Sequence, residues 1–376
     1  MPAIKFLIDI SQLINYNNIL FNESDILMKI AITGLPQSGK KTLFNVLTGL
    51  DPLKNNIGIS KVNDSRIDFL ADIFKPKKVV LPDIEYVLLP DITDNETEKD
   101  TVFKSLINMD SFVYIARAFK DDSVYHLHGA VDALKDIRNF IADLIMKDLL
   151  LAEKRIEKLT LEIKKKPTDE KKKEIAFVLK LKEHLEGEKF IRSFSSKPDE
   201  LQLLSVYQFL TEKKLMVVVN FSENEDFDRA IEEVRVAMST PDVTFLGLSV
   251  KLEKEISVLD DEKTKIEFLS EMGLNEPACD KMIRFSYASL DMISFFTVGP
   301  DEVRAWPVRR NCPVLKAARK IHQDIEKGFI RAEVIKYEDM KKFGTEQKVK
   351  EAGLFYLKGK DYTVEDGDII SFRFNV

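Results

Sequence analysis

Met28-Lys29-Ile30-Ala31-Ile32-Thr33-Gly34-Leu35-Pro36-Gln37-Ser38-Gly39-Lys40-Lys41-Thr42-Leu43-Phe44-Asn45-Val46-Leu47 decides the fold. Its first residues read as a buried strand that runs into a loop. Gly34 to Lys40 matches the phosphate-loop pattern G-x-x-x-x-G-K, and the residues from Thr42 continue as a helix. Glycines let the backbone curl so that its N–H groups point at phosphate oxygens, and the helix N-terminus adds the positive end of its dipole. In such a loop Lys40 reaches the β- and γ-phosphates. Gly34, Leu35, Pro36, Gln37, Ser38, Gly39, Lys40, Lys41 and Thr42 are therefore the expected phosphate contacts. The eighth position calls for Ser or Thr, whose hydroxyl binds Mg²⁺. Here it is Lys41. Thr42 lies about 100° further round a helix and does not take over that place. An ammonium at a metal position repels the metal; Lys41 either offsets phosphate charge itself or merely blocks the ion.

The chain has 376 residues, which favours two or three domains at roughly 100–200 residues each. Asp and Glu number 63 against 57 Lys and Arg, so the net charge is −6 and only a local patch can be basic. The cysteines, Cys279 and Cys312, stand alone in sequence. That excludes a disulfide scaffold and a cysteine zinc site, and the natural setting is a reducing cytoplasm. No apolar stretch approaches the roughly 18 residues of a membrane span. Residues 1–27 are broken by polar positions and make a poor signal peptide; a loosely attached extension ahead of a domain that begins at Met28 is expected.

Apolar, β-rich runs recur at Ile84–Leu89, Ser111–Ile115, Leu215–Val219 and Val243–Leu248, with helical patterns at Asp64–Phe74 and Asp226–Met238 between them. This alternation implies an α/β fold with a mostly parallel sheet. A long charged insertion carries two helical stripes, one through Ile137, Leu144, Leu151 and Leu159 and one through Val178 and Leu185, broken at Pro167. It reads as an antiparallel helical hairpin whose first helix, about 33 residues, is about 50 Å long. Its tip holds Lys164, Lys165, Lys166, Lys171, Lys172 and Lys173. These are either a solvated face or a contact for RNA phosphates. From Met292 onward, short strands and glycine turns indicate a compact α+β module. There, Arg304, Arg309, Arg310, Lys316, Arg319 and Lys320 occur with Trp306 and no acid. That edge either contacts RNA or pairs with acids elsewhere. His126 and His128 lack a third ligand nearby in sequence, so a structural role is favoured over a chelate; the same holds for His322 and Asp324 as an acid–base pair.

Three sets of residues together resemble one family. They are Gly34-Leu35-Pro36-x-x-Gly39-Lys40-x-Thr42-Leu43-Phe44-Asn45, then Lys75-Pro76-Lys77-Lys78-Val79-Val80, then Ile84-Glu85-Tyr86-Val87. The C-terminal strings are longer: Glu302-Val303-Arg304-Ala305-Trp306, Gly328-Phe329-Ile330-Arg331-Ala332-Glu333 and Phe372-Arg373-Phe374-Asn375-Val376. The chain resembles the Obg-like ATPase family of the YchF type from Met28 to Val376. The resemblance implies a P-loop GTPase-like domain with an inserted hairpin and a C-terminal ubiquitin-like α+β (TGS) domain. It also implies a purine nucleotide, ATP in preference to GTP, and association with ribosomes. The expected division is 28–130 with 210–291 as G domain, 131–209 as hairpin and 292–376 as the TGS-like domain.

The base site expected from the resemblance comprises Asn220, Phe221, Glu223, Ser249 and Lys251. GTPases use Asn-Lys-x-Asp, whose Asp accepts both guanine N–H donors; Asn220-Phe221-Ser222-Glu223 puts a longer acid there, which weakens selection for guanine. Asn220 as a turn or capping residue is the alternative. The family's Mg²⁺-supporting Asp aligns with Leu88 and its phosphate-sensing Gly with Asp91. Asp91 lies about 10 Å along a strand from the expected place. Five acids in 91–100 would repel a triphosphate, and no Thr occurs between Thr48 and Thr93 to serve as a second Mg²⁺ ligand. Slow or absent hydrolysis is therefore expected, with no catalytic residue and no protein-held metal. A nucleotide-independent RNA- or ribosome-binding adaptor is the alternative function.

Overall fold

The computed structural model describes residues 28–375 apart from 198, 199, 201, 202, 205 and 260; the expected extension 1–27 lies outside the described residues. Along the first unit run β1 (Met28–Gly34), α1 (Lys40–Thr48) and β2 (Ile57–Lys61). The chain then passes through α2 (Ser65–Phe74) and β3 (Lys78–Val80) to β4 (Asp83–Leu88), α3 (Glu96–Leu106) and β5 (Ser111–Arg117). The inserted helices α4 (Ala133–Lys165) and α5 (Asp169–Glu186) follow. After them come β6 (Lys214–Asn220), α6 (Phe227–Met238), β7 (Val243–Leu248), α7 (Val250–Ser257), α8 (Glu262–Glu271) and α9 (Ala278–Ser289). The chain divides into two compact units, one of Met28–Ser60 with Glu85–Met282 and the other of Lys61–Ile84 with the residues from Ile283 onward.

The first unit holds a six-stranded sheet in the order β2-β4-β1-β5-β6-β7. The β1–β5, β5–β6 and β6–β7 pairs are parallel, with Ile32 opposite Val113, Val113 opposite Met216 and Val217 opposite Phe245. Every residue of β5 is buried, as expected of a parallel strand covered on both faces. One face packs Phe112, Tyr114, Val217 and Phe245 with Phe103 and Phe140. The four strands read as apolar runs, and the helices α2 and α6 both form within one residue of their expected starts; Asp64 and Asp226 serve as their N-caps.

α3 was not expected. Its acid-rich start reads as loop, yet Asn95 accepts from the N–H groups of Thr97 and Glu98, and Glu96 and Glu98 suit the positive end of the helix dipole.

α4 has 33 residues and α5 starts at the Thr168 cap, just after Pro167. Phe177, Val178, Leu181 and Leu185 pack with Ala152. Asp148, buried on α4, clamps the return of the chain. Its carboxylate accepts from Leu210 N at 2.8 Å, Thr211 N at 2.7 Å and Thr211 Oγ1 at 2.6 Å.

The second unit adds β8 (Met292–Thr297), β9 (Glu302–Arg309), α10 (Val314–Ile321), α11 (Gln323–Lys327), β10 (Phe329–Lys336), α12 (Tyr337–Phe343), α13 (Glu346–Glu351), β11 (Tyr356–Lys358) and β12 (Asp368–Phe374). Its sheet runs β11-β10-β12-β8-β9-β3. β8 and β9 are antiparallel, as are β10 and β12, whereas β12 pairs with β8 in parallel. The unit is larger than residues 292–376. β3 pairs in parallel with β9, and α2 buries Ile67 and Leu70 beside Phe296, Val303 and Ile335. Residues 61–84, counted by sequence with 28–130, thus pack in this unit.

Burial pushes the Asp148 carboxyl from 3.8 up to about 6 against the pull of its three donors. The folded state therefore holds this proton more tightly than the unfolded chain. Its contribution favours folding below the unfolded value and is lost as pH rises towards 6. Between pH 4 and about 6 the free energy of unfolding is expected to fall faster in the parent protein than in Asp148→Asn, as read by urea denaturation across that range. Parallel profiles would remove the clamp.

Candidate functional site

The loop between β1 and α1 is shaped by close backbone approaches. Gly39 precedes the helix at φ +99°, and a Cβ there would stand 2.5 Å from Asn220 Nδ2. A Cβ on Gly34 would meet Ile115 O at 2.7 Å. α1 has no side-chain N-cap and no acid in its first turn. Its leading N–H groups are therefore left for a ligand, and the dipole end favours an anion. Within the loop, the Ser38 hydroxyl is buried without a hydrogen-bond partner, while Gln37 and Lys41 are exposed.

Lys40 is 3% exposed. Its Nζ donates to Leu89 O at 2.6 Å and lies 2.9 Å from Asp91 Oδ1. Burial holds the ammonium below the usual lysine range, and Asp91 offsets part of that fall. Asp91 is itself held in place. Leu89 N donates to Ile32 O and Ile92 N to Gly34 O, so the residues on either side are tied to β1.

This corrects the expectation that the five acids of 91–100 repel phosphate together. His128 Nε2 is 3.6 Å from Asp94, Thr93 Oγ1 donates to Glu98, and Asp100 pairs with Lys147. Of the ion-paired acids Asp91, Asp94 and Asp100, Asp91 is the one that meets the loop lysine.

Asn220 occupies the end of β6, 4% exposed. Its amide donates to Ser38 O at 3.0 Å and its carbonyl accepts from Val250 N at 3.0 Å. It braces the phosphate loop against the start of α7. Ser249 is likewise used locally, capping α7 through Leu252 N. Phe221 is turned into the core, stacked against Phe227 at 6.3 Å. Glu223 and Lys251 are nearer solvent and pair with each other at 2.6 Å.

His126 and His128 do have a third group in space. His126 Nε2 and His128 Nδ1 each lie 3.0 Å from a carboxylate oxygen of buried Asp136, on the first turn of α4. His126 Nδ1 accepts from His128 N at 3.3 Å. The two imidazoles thus satisfy one buried acid, and the sequence signal for it was an acid at a helix start just beyond the pair. His322 uses Nδ1 to accept from Asp324 N and caps α11.

At the hairpin tip, Lys171 pairs with Glu162 and Lys172 with Asp169. Lys164, Lys165, Lys166 and Lys173 are exposed, with no ion-pair partner among the described residues. The basic C-terminal edge is smaller than its sequence suggests. Arg304 pairs with Glu302 and lies 4.6 Å over the Trp306 ring, and Arg319 pairs with Glu326. Trp306 is buried and donates to Thr297, so it is no stacking platform for a base. Arg309, Arg310 and Lys316 remain exposed.

The YchF-GTPase_C family model, described as "Protein of unknown function (DUF933)", matches residues 292–375. The ribosome-binding ATPase YchF of Haemophilus influenzae is 37% identical over 362 residues, covering 93% of this chain and 99% of that protein. The chain belongs to the YchF family. The YchF protein of Bacillus subtilis, also named a ribosome-binding ATPase, is 34% identical over 92% of this chain and 98% of its own. In fold, the YchF GTPase of Schizosaccharomyces pombe superposes with a TM-score of 0.82 at 27% identity, covering 92% of this chain and 97% of that one. The family's P-loop architecture and its C-terminal domain are both present here. No helix among the described residues is long and apolar enough to cross a membrane.

Asn220→Ala removes a donor to Ser38 O and strands a buried Val250 N–H. The expected cost is about 2–6 kcal/mol in denaturant unfolding, since each of the two orphaned buried groups costs about 1–3 kcal/mol. Asn220→Asp keeps the shape but cannot donate to Ser38, and is expected to be destabilised as well. Unchanged midpoints for both variants would show that the brace is not there.

Proposed function

We propose that this chain is a purine-nucleotide-binding member of the YchF family. It takes ATP in preference to GTP, acts with the ribosome, and hydrolyses nucleotide very slowly or not at all. The observation that carries the reading is the buried Lys40 at the head of an uncapped helix, inside a loop whose Ser38 hydroxyl lacks a partner. Such a cradle suits phosphate oxygens. Glu223, paired with Lys251 after β6, supports an adenine over a guanine preference, because the longer acid does not reproduce the paired guanine contact. The printed names of the H. influenzae and B. subtilis relatives support the ribosome and ATP.

The donor set does not fit Mg²⁺. Lys41 stands where a hydroxyl is needed, Leu88 is buried where a carboxylate is needed, and the nearest acid, Asp91, is paired with Lys40. No step is therefore routed through a metal. Phosphoryl transfer depends on positioned positive charge, and losing one such partner commonly costs about 10²–10³ in rate.

A second reading, a nucleotide-independent adaptor, draws on the four exposed lysines of the hairpin tip and on Arg309, Arg310 and Lys316. Either reading uses these cations on ribosomal RNA, whose phosphate contacts weaken with salt.

Titration with fluorescent ATP and GTP, with and without Mg²⁺, is expected to saturate, to favour ATP and to change little with the metal. Lys40→Ala is expected to abolish it while the circular dichroism spectrum is kept. Magnesium-dependent turnover at about 1–100 s⁻¹, the kinase range, would overturn the proposal. Replacing Lys164, Lys165, Lys166 and Lys173 by Glu is expected to weaken ribosome co-sedimentation and flatten its salt dependence. Loss of co-sedimentation without any nucleotide binding by the parent would favour the adaptor.

A further inference from the structure

The proposed phosphate cradle has its lysine already engaged, and the inference that follows rests on that reading of the site. Lys40 Nζ has three N–H donors. One is directed to Leu89 O at 2.6 Å and another to the Asp91 carboxylate at 2.9 Å. A phosphate-loop lysine ordinarily spans the β- and γ-phosphates, so a carboxylate on its ammonium occupies one of the two anion positions. Lys40 is 3% exposed and Asp91 37%, so the pair is shielded from water on the lysine side and open to it on the carboxylate side.

Asp91 is not a loose surface arm. The backbone bonds from Leu89 N to Ile32 O and from Ile92 N to Gly34 O pin it between two anchors on β1. Bringing a terminal phosphate to Lys40 means displacing that carboxylate or placing two anions side by side. Nothing at Leu88 or Lys41 offers a divalent ion to relieve the repulsion. A diphosphate avoids the conflict. It uses the N–H groups at the head of α1, the Ser38 hydroxyl and the one Lys40 N–H left over.

We propose that the Asp91 carboxylate is a built-in stand-in for the terminal phosphate, and that it makes this site select nucleoside diphosphates over triphosphates. Asp91 is thus a specificity-determining residue. The neighbouring acids point elsewhere, Asp94 towards His128 and Glu98 to Thr93. The selection therefore rests on one side chain.

The test is a competition titration of ADP and ATP in EDTA on the full chain, for the parent, Asp91→Asn, Asp91→Gly and Asp94→Asn. Thermal unfolding of each variant checks the fold. The parent is expected to bind ADP at least about tenfold more tightly than ATP, the effect of one unfavourable charge contact. Asp91→Asn keeps an oxygen for Lys40 without the charge, and is expected to close most of that gap by strengthening ATP. Asp91→Gly is expected to do the same. Asp94→Asn is expected to leave the ratio where it was. Equal ADP and ATP affinities in the parent, or a ratio unmoved in both Asp91 variants, overturns the inference while the cradle stands. Folded parent and variants that bind neither nucleotide overturn the cradle, and the inference with it.

Discussion

The site depends on one carboxamide. Asn220, at the end of β6, donates to the carbonyl of Ser38 and accepts from the N–H of Val250. It thereby joins the phosphate loop, the central sheet and the start of α7. A buried carboxamide with donor and acceptor both used is stabilising, whereas one with either half unused is costly. The loop in turn has no room to spare. Gly39 faces the same amide so closely that any side chain would collide with it. The helix α1 therefore starts where the sheet dictates, and Lys40 is delivered into the interior rather than to the surface.

The surroundings of that lysine carry the proposed reading of the site. Its positive charge is already balanced by Asp91. Around it, the positions that would hold a metal are filled by a cation and a leucine. The acid that looked misplaced when spaced along a strand lies 2.9 Å from Lys40, because the chain after β4 stays bonded to β1 as far as Gly34, where the phosphate loop begins. In the proposed reading, a protein carboxylate neutralises the lysine where an ion would otherwise share the phosphate charge.

Much of this was legible in the residues. Strands of the central sheet are continuous apolar runs because both faces are covered, and that pattern needs no partner to be recognised. The hairpin was legible because Pro167 and Thr168 end one helical stripe and cap the next. The phosphate loop is a local motif and reads locally. Other features depend on partners far along the chain. Lys78 pairs with Glu302, so nothing near β3 says that residues 61–84 pack beside the C-terminal strands. Asp91 finds Lys40, Asp136 gathers His126 and His128, and Trp306 turns inward to Thr297, each through tertiary contact. α3 was hidden for another reason. Acids that suggest a loop by composition are also what a helix start prefers, and the cap at Asn95 decided between them.

The clamp at Asp148 has a mechanical consequence. From there to the end of α4 is 17 residues, a stiff arm of about 25 Å. Its carboxylate grips Leu210 and Thr211, only a few residues ahead of β6, and β6 ends in Asn220. The far end of that arm is thus joined to the phosphate loop through one gripped acid, a short turn at 210–213 and a single strand, with no glycine along that path.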